Sequence, residues 1–130
     1  MKITHFLLAL AVLSLTACST TSRTDHGSAK SDPETVLVTY HVKSGKESEF
    51  QALFSRVWQI YRTEHLVFAG PHMIVRDTEE GGKTRFVEIL TWVSHAAPEH
   101  VPEAVKTIWE QEQSLCEARS GHTGIEGGEV

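Results

Sequence analysis

Cysteine occurs only twice in the 130 residues, at Cys18 and Cys116. Basic residues are also few: 12 lysines and arginines face 17 acidic residues, for a formal net charge of −5, and they form no cluster. Phosphate backbones are held by Lys and Arg gathered on one face, so nucleic acid is excluded as a partner. No GxGxxG follows any strand-like run, which removes the usual phosphate cradle for a flavin or nicotinamide, and no cofactor is expected. Eight histidines are present, yet none stands in HxH, HxxxH or HExxH spacing. Catalytic zinc needs three converging ligands, so no metal is expected. There is no solenoid repeat. The apolar run Phe6–Leu15, broken only by Ser14, would rise about 15 Å as a helix, half of the roughly 30 Å hydrocarbon core, and makes a poor stable membrane span.

That run has a different reading. Lys2 supplies a positive start, the apolar middle is short, and small residues end it, which is the pattern of a secretory signal peptide. Its end, Leu15-Thr16-Ala17-Cys18, resembles the lipobox of bacterial lipoproteins. The resemblance implies a signal peptide over residues 1–17, removal of that peptide, and a diacylglycerol thioether on Cys18. Several acyl chains, at about 0.8 kcal/mol per buried methylene, give lasting membrane anchorage. Ser19 follows the cysteine, where the enterobacterial sorting pattern has Asp for inner-membrane retention, so the lipid is expected in the outer membrane, facing the periplasm. Loss of Lys2 leaves 11 basic against 17 acidic residues, a net charge of −6. With Cys18 acylated, Cys116 has no intramolecular partner for a disulfide.

Residues 18–33 read as the lipidated cysteine and a flexible tether, because STTSRTDHGSAKSDP holds no large apolar side chain to offset its ordering entropy. Residues 34–130 are then one domain with one modest core. Thr35–Val42 alternates Val36, Val38, Tyr40 and Val42 with Leu37, Thr39 and His41, the period of a strand. Ser44-Gly45-Lys46-Glu47 has the spacing of a capping box. Phe50, Leu53, Phe54, Val57 and Tyr61 then recur at helical spacing. His65–Val75 reads as a second strand interrupted at Gly70-Pro71, Asp77–Lys83 as a hairpin turn, and Arg85–Trp92 as a third strand with both faces largely apolar. His95–Pro102 is a connector. Glu103–Ser120 is a second helix with Val105, Ile108, Trp109, Leu115 and Cys116 as its stripe and Gly121 as its cap. Residues 122–130 make a glycine-rich edge strand.

The order β-α-β-β-α-β predicts an α+β, ferredoxin-like domain. Two helices cover one sheet face. So short a chain has nothing left for the other, and a second copy would cover it, which predicts a homodimer. The segments VTYHVKSGKESEFQALF and FVEILTWVSHAAPEH resemble the first strand and helix, and the third strand, of the antibiotic biosynthesis monooxygenase-like proteins. The resemblance spans about Thr35–Val130 and implies the dimeric α+β barrel. In that pattern an acidic residue often stands two before the Trp. Here Leu90 takes that place and Glu88 stands four before Trp92.

Glu88 is the leading site residue, because a carboxylate within an apolar strand must be paired, exposed or functional. Candidate ion-pair partners are Arg76, Lys83 and Arg85; in a pocket it would act as acid or base. His100 is expected to fold back over the mouth of that pocket as a proton carrier. Tyr40, His41 and Trp92 are candidate ligand-binding residues. Cys116 reads as a small core residue with no activating neighbour in sequence. Three functions remain open. One is an envelope-anchored module binding a small, mostly apolar molecule. The second is a cofactor-independent monooxygenase or isomerase acting on an aromatic or polyketide-like substrate, and the third is a purely structural interaction module.

Overall fold

The structure is a computed structural model and describes residues 32–119 and 121–130. Cys18 and the apolar run before it lie outside the described residues. No helix among the described residues is long and apolar enough to cross a membrane.

The elements are β1 (Glu34–His41), α1 (Glu47–Thr63), β2 (Met73–Thr78), β3 (Thr84–Trp92), a short 3-10 turn (Ala97–His100), α2 (Glu103–Leu115) and β4 (Ile125–Glu129). They form one four-stranded sheet in the order β2-β3-β1-β4, antiparallel throughout. This is the ferredoxin-like α+β fold, with the glycine-rich β4 at an edge as expected.

The register decides which side chains meet. β1 and β3 pair as Val36↔Leu90, Val38↔Glu88 and Tyr40↔Phe86. Period 2 then puts all six, with Trp92, on one face, and both helices lie over it. From α1, all of Phe50, Leu53, Phe54, Val57 and Tyr61 are buried. Phe50, Phe54, Phe86 and Tyr40 form an aromatic knot with ring centroids 5.0–5.7 Å apart. From α2 come Val105, Ile108, Leu115 and, against type, Glu112. The opposite sheet face is apolar too. Leu37, Met73 and Val75 stand there with 37%, 52% and 46% of their surface exposed, with Val87 and Ile89 between them by register.

Three local expectations change. The Ser44 capping box does not form: Gly45 takes φ +84° in a turn closed by Lys46 N–H donating to Lys43 O, and the helix opens after Lys46 without a side-chain cap. Glu47 is used elsewhere, accepting from the Thr84 hydroxyl at 3.4 Å. The second strand does not run from His65. Val67 makes a single bridge to Trp92, Gly70-Pro71 interrupts the chain, and pairing with β3 begins only at Met73. The second helix stops at Leu115 rather than Ser120. Cys116 turns extended and bridges to Val42, while Glu117 N–H donates to His41 O. Sheet partners thus claim residues whose periodicity alone continues a helix, and Gly121 does not cap it.

Phe86 lies at the centre of the knot and is 1% exposed. Phe86→Ala is expected to cost about 3–5 kcal/mol. Urea denaturation monitored by circular dichroism would show it as a lower midpoint; an unchanged midpoint would contradict the packing described.

Candidate active site

Between the covered sheet face and the helices lies a cavity of about 340 Å3. β1 contributes Val36, Val38 and Tyr40 to its wall, and β3 contributes Glu88, Leu90 and Trp92. Tyr61 of α1, Trp109 and Glu112 of α2, and Ile125 of β4 complete the apolar and acidic lining. Alternation along β3 aims Glu88 and Trp92 to the same side, and the antiparallel register brings Tyr40 beside them.

Glu88 is 2% exposed and both its oxygens are met. The Tyr40 hydroxyl donates to Oε2 at 3.0 Å. His72 Nε2 lies 2.9 Å from Oε1, and since a carboxylate oxygen only accepts, that ring nitrogen carries the proton. The His72 ring in turn stacks on Trp58 with centroids 3.5 Å apart and 12° between planes. Burial, then the Glu88 charge, drives the Tyr40 phenol well above its ordinary titration range, so it remains a donor. Tyr61 is raised as well, chiefly by burial. Its hydroxyl accepts from Trp109 Nε1 at 2.6 Å, and its ring meets Trp92 at 4.9 Å.

Glu112 is the second acid of the cavity. It too is 2% exposed, and its Oε1 has no hydrogen-bond partner. Burial, and secondarily the neighbouring Glu88 charge, push its titration up to about 8. The two carboxyls therefore differ in kind: one is held by two donors, the other is open at one oxygen and poised near neutral pH.

Of the residues expected from sequence, Tyr40, Glu88 and Trp92 come together in this wall. The expected ion-pair partners of Glu88 are engaged elsewhere: Arg85 pairs with Asp77, Lys83 with Glu117 at 2.6 Å, and Arg76 lies over the Phe86 ring. His41 faces away from the cavity. Its Nδ1 lies 2.5 Å from Glu79 Oε1, out of line for a hydrogen bond, and its Nε2 lies 3.2 Å from Glu126 Oε1. Arg119 joins this cluster through Glu79. His100 is exposed at the end of the 3-10 turn and does not line the cavity, so it does not fold back over Glu88. Cys116 is buried, and burial lifts its thiol to about 12, an inert core residue.

Glu112, His72, Tyr61 and Trp109 are site residues that the sequence reading does not single out. Glu112 does leave a signal. It stands four after Ile108 and three before Leu115, squarely on the apolar stripe of α2, where a carboxylate is as anomalous as Glu88 is in its strand. Away from the cavity, donor atoms of Glu34, His95 and Glu129 lie within 4.8 Å of one another. His95 and Glu129 are exposed and Glu34 is half-buried, with His95 Nδ1 2.9 Å from Glu34 Oε2.

No family model matches the chain, and no curated protein matches it. Solved structures do. SnoaB, a cofactor-independent oxygenase from Streptomyces nogalater, superposes with a TM-score of 0.55 at 18% identity, over 76% of this chain and 91% of that one. An antibiotic biosynthesis monooxygenase gives 0.57 at 16% identity, over 74% and 94%. A Caulobacter crescentus protein described as a candidate antibiotic biosynthesis monooxygenase gives 0.56 at 17%, over 78% and 92%. At such identities the likeness establishes a shared fold.

An acid whose titration point is higher folded than unfolded favours the folded state when protonated. The Glu112 contribution is therefore complete below the ordinary carboxylate range and is lost as pH rises through about 8. The loss approaches about 1.4 kcal/mol per pH unit within that window. Wild type should thus lose stability from about pH 5 to pH 8, and Glu112→Gln should flatten that slope in urea titrations. Equal slopes in the two proteins would show that Glu112 titrates normally.

Proposed function

We propose that this domain binds one small, mostly apolar molecule in the cavity between its sheet and helices, with the Glu112 carboxyl at the molecule's polar end. The observation that carries the reading is a cavity, open on one side, whose wall includes a buried carboxyl with an oxygen that no protein group meets. A purely structural module would fill that space, since unfilled volume and unmet polar atoms both cost stability. Native mass spectrometry of the full-length protein from its own host tests this. A retained small molecule is expected, and Val38→Phe, which occupies part of the cavity, should abolish it while the melting temperature holds or rises. Absence of any adduct, with Val38→Phe lowering stability, would overturn the reading.

A second reading is a cofactor-independent oxygenase. It is favoured by the likeness to SnoaB and by a carboxyl that titrates near neutral pH, as a general base should. Ionised Glu112 would take a proton from an acidic carbon of the substrate, and dioxygen would oxidise the carbanion left behind. Glu88, held by Tyr40 and His72, would raise the basicity of Glu112. Oxygen uptake that rises through about pH 8, and falls about 100-fold or more in Glu112→Gln, would select this reading over binding alone.

The lipobox-like Cys18 supports attachment to the envelope through lipid, at the periplasmic side of the outer membrane. Metabolic labelling with a palmitate analogue should mark the wild type and leave Cys18→Ser unlabelled; label retained by the variant would sink the idea. The apolar outer sheet face supports a homodimer. Multi-angle light scattering of residues 34–130 should give about twice the monomer mass, and a clean monomer at micromolar concentration would remove the barrel reading.

A further inference from the structure

The cavity says more about its ligand than that it is apolar. Its wall carries two carboxyls and no lysine, arginine or histidine. His72, which stands outside the wall, is already committed to Glu88 Oε1. An anionic ligand would enter a site with two acids and no counter-charge, and is excluded on electrostatic grounds.

What Glu112 lacks is a donor. Glu88 has Tyr40 and His72, whereas Glu112, 2% exposed on the facing helix, has an oxygen with no partner. The rings of Tyr61, Trp92 and Trp109 stand in the same wall, and Tyr61 and Trp92 meet at 63°. Aromatic faces beside a carboxylate attract a desolvated cation. Resting on the reading that the cavity binds a small molecule, we propose that this molecule is an organic monocation, an apolar or aromatic body bearing one protonated amine that pairs with Glu112.

The charge balance has a consequence. The groups facing Glu112 are Glu88 from β3, Tyr40 from β1, Tyr61 from α1, and Cys116 beyond the end of α2. Burial keeps both phenols and the thiol protonated, so Glu88 is the one other group here that bears charge. An incoming ammonium takes the place of the proton on Glu112. Binding below about pH 8 should therefore release a proton, and affinity should rise with pH up to that point.

The test uses the full-length protein in detergent and three probes of one shape: 2-(1-naphthyl)ethylamine, 2-(1-naphthyl)ethanol and 1-naphthylacetate. Isothermal titration at pH 7 should show the amine binding at least tenfold more tightly than the alcohol, and the acetate not at all. The heat of amine binding should vary with the buffer's ionisation enthalpy, reporting the released proton. Glu112→Gln should weaken the amine at least tenfold, abolish the proton release and affect the alcohol far less than the amine. Alcohol binding as tight as the amine's, or amine binding indifferent to Glu112→Gln, would overturn the cation inference while the cavity reading stands. If no probe binds and native mass spectrometry shows no retained molecule, both readings fall together.

Discussion

A carboxylate at the centre of a sheet face, beneath two helices, is tolerated only if its oxygens are met. Glu88 satisfies that condition through Tyr40, two strand positions away across the β1–β3 ladder, and through His72 from the segment leading into β2. Each partner is fixed by something else. Tyr40 is wedged against Phe50 and Phe54, and His72 lies flat on Trp58 of α1. The charge therefore ties both central strands, the first helix and the entry to β2 into one arrangement. An apolar residue at position 88 would remove the need for that arrangement, because buried ionic networks are seldom the most stabilising way to fill a core. Their presence in so small a domain supports a working role.

Glu112 extends the same constraint across the cavity. Two buried acids facing each other raise the energy of the doubly ionised state, and the protein has supplied donors to only one of them. Within the cavity wall, Glu112 is thus left with a buried oxygen that no donor meets. Stability given up locally at a site in this way is the usual mark of function rather than of careless packing.

Much of this is legible in the residues alone. Period 2 in residues 35–42 and 85–92 defines both central strands and puts Glu88 with Trp92 on one face, while the β1–β3 register that adds Tyr40 to that face, and the choice of the face the helices cover, are settled only by tertiary packing. The spacing of Phe50, Leu53, Phe54, Val57 and Tyr61 defines the buried stripe of α1. The departures have one physical source, tertiary pairing that periodicity does not encode. Residues 116–119 look helical until Val42 and His41 claim their backbones. The short sequence distance from Trp92 suggests that His100 returns to the sheet, and the 3-10 turn carries it outward instead. The role of His72 is hidden because it depends on Trp58, fourteen residues earlier. Glu112 is hidden for a plainer reason: a stripe read through its apolar members alone passes over the one acid among them.

β1 is both the strand by which the described chain enters the sheet and an interior strand, flanked by β3 and β4. Antiparallel ladder bonds run perpendicular to the strands. A pull on the chain ahead of residue 34, directed along β1, would load its eight residue pairs with β3 in shear, together with those to β4, rather than peel them apart one by one. The domain is thus gripped by an interior strand held on both sides, so tension arriving from its amino-terminal side is shared by two ladders at once.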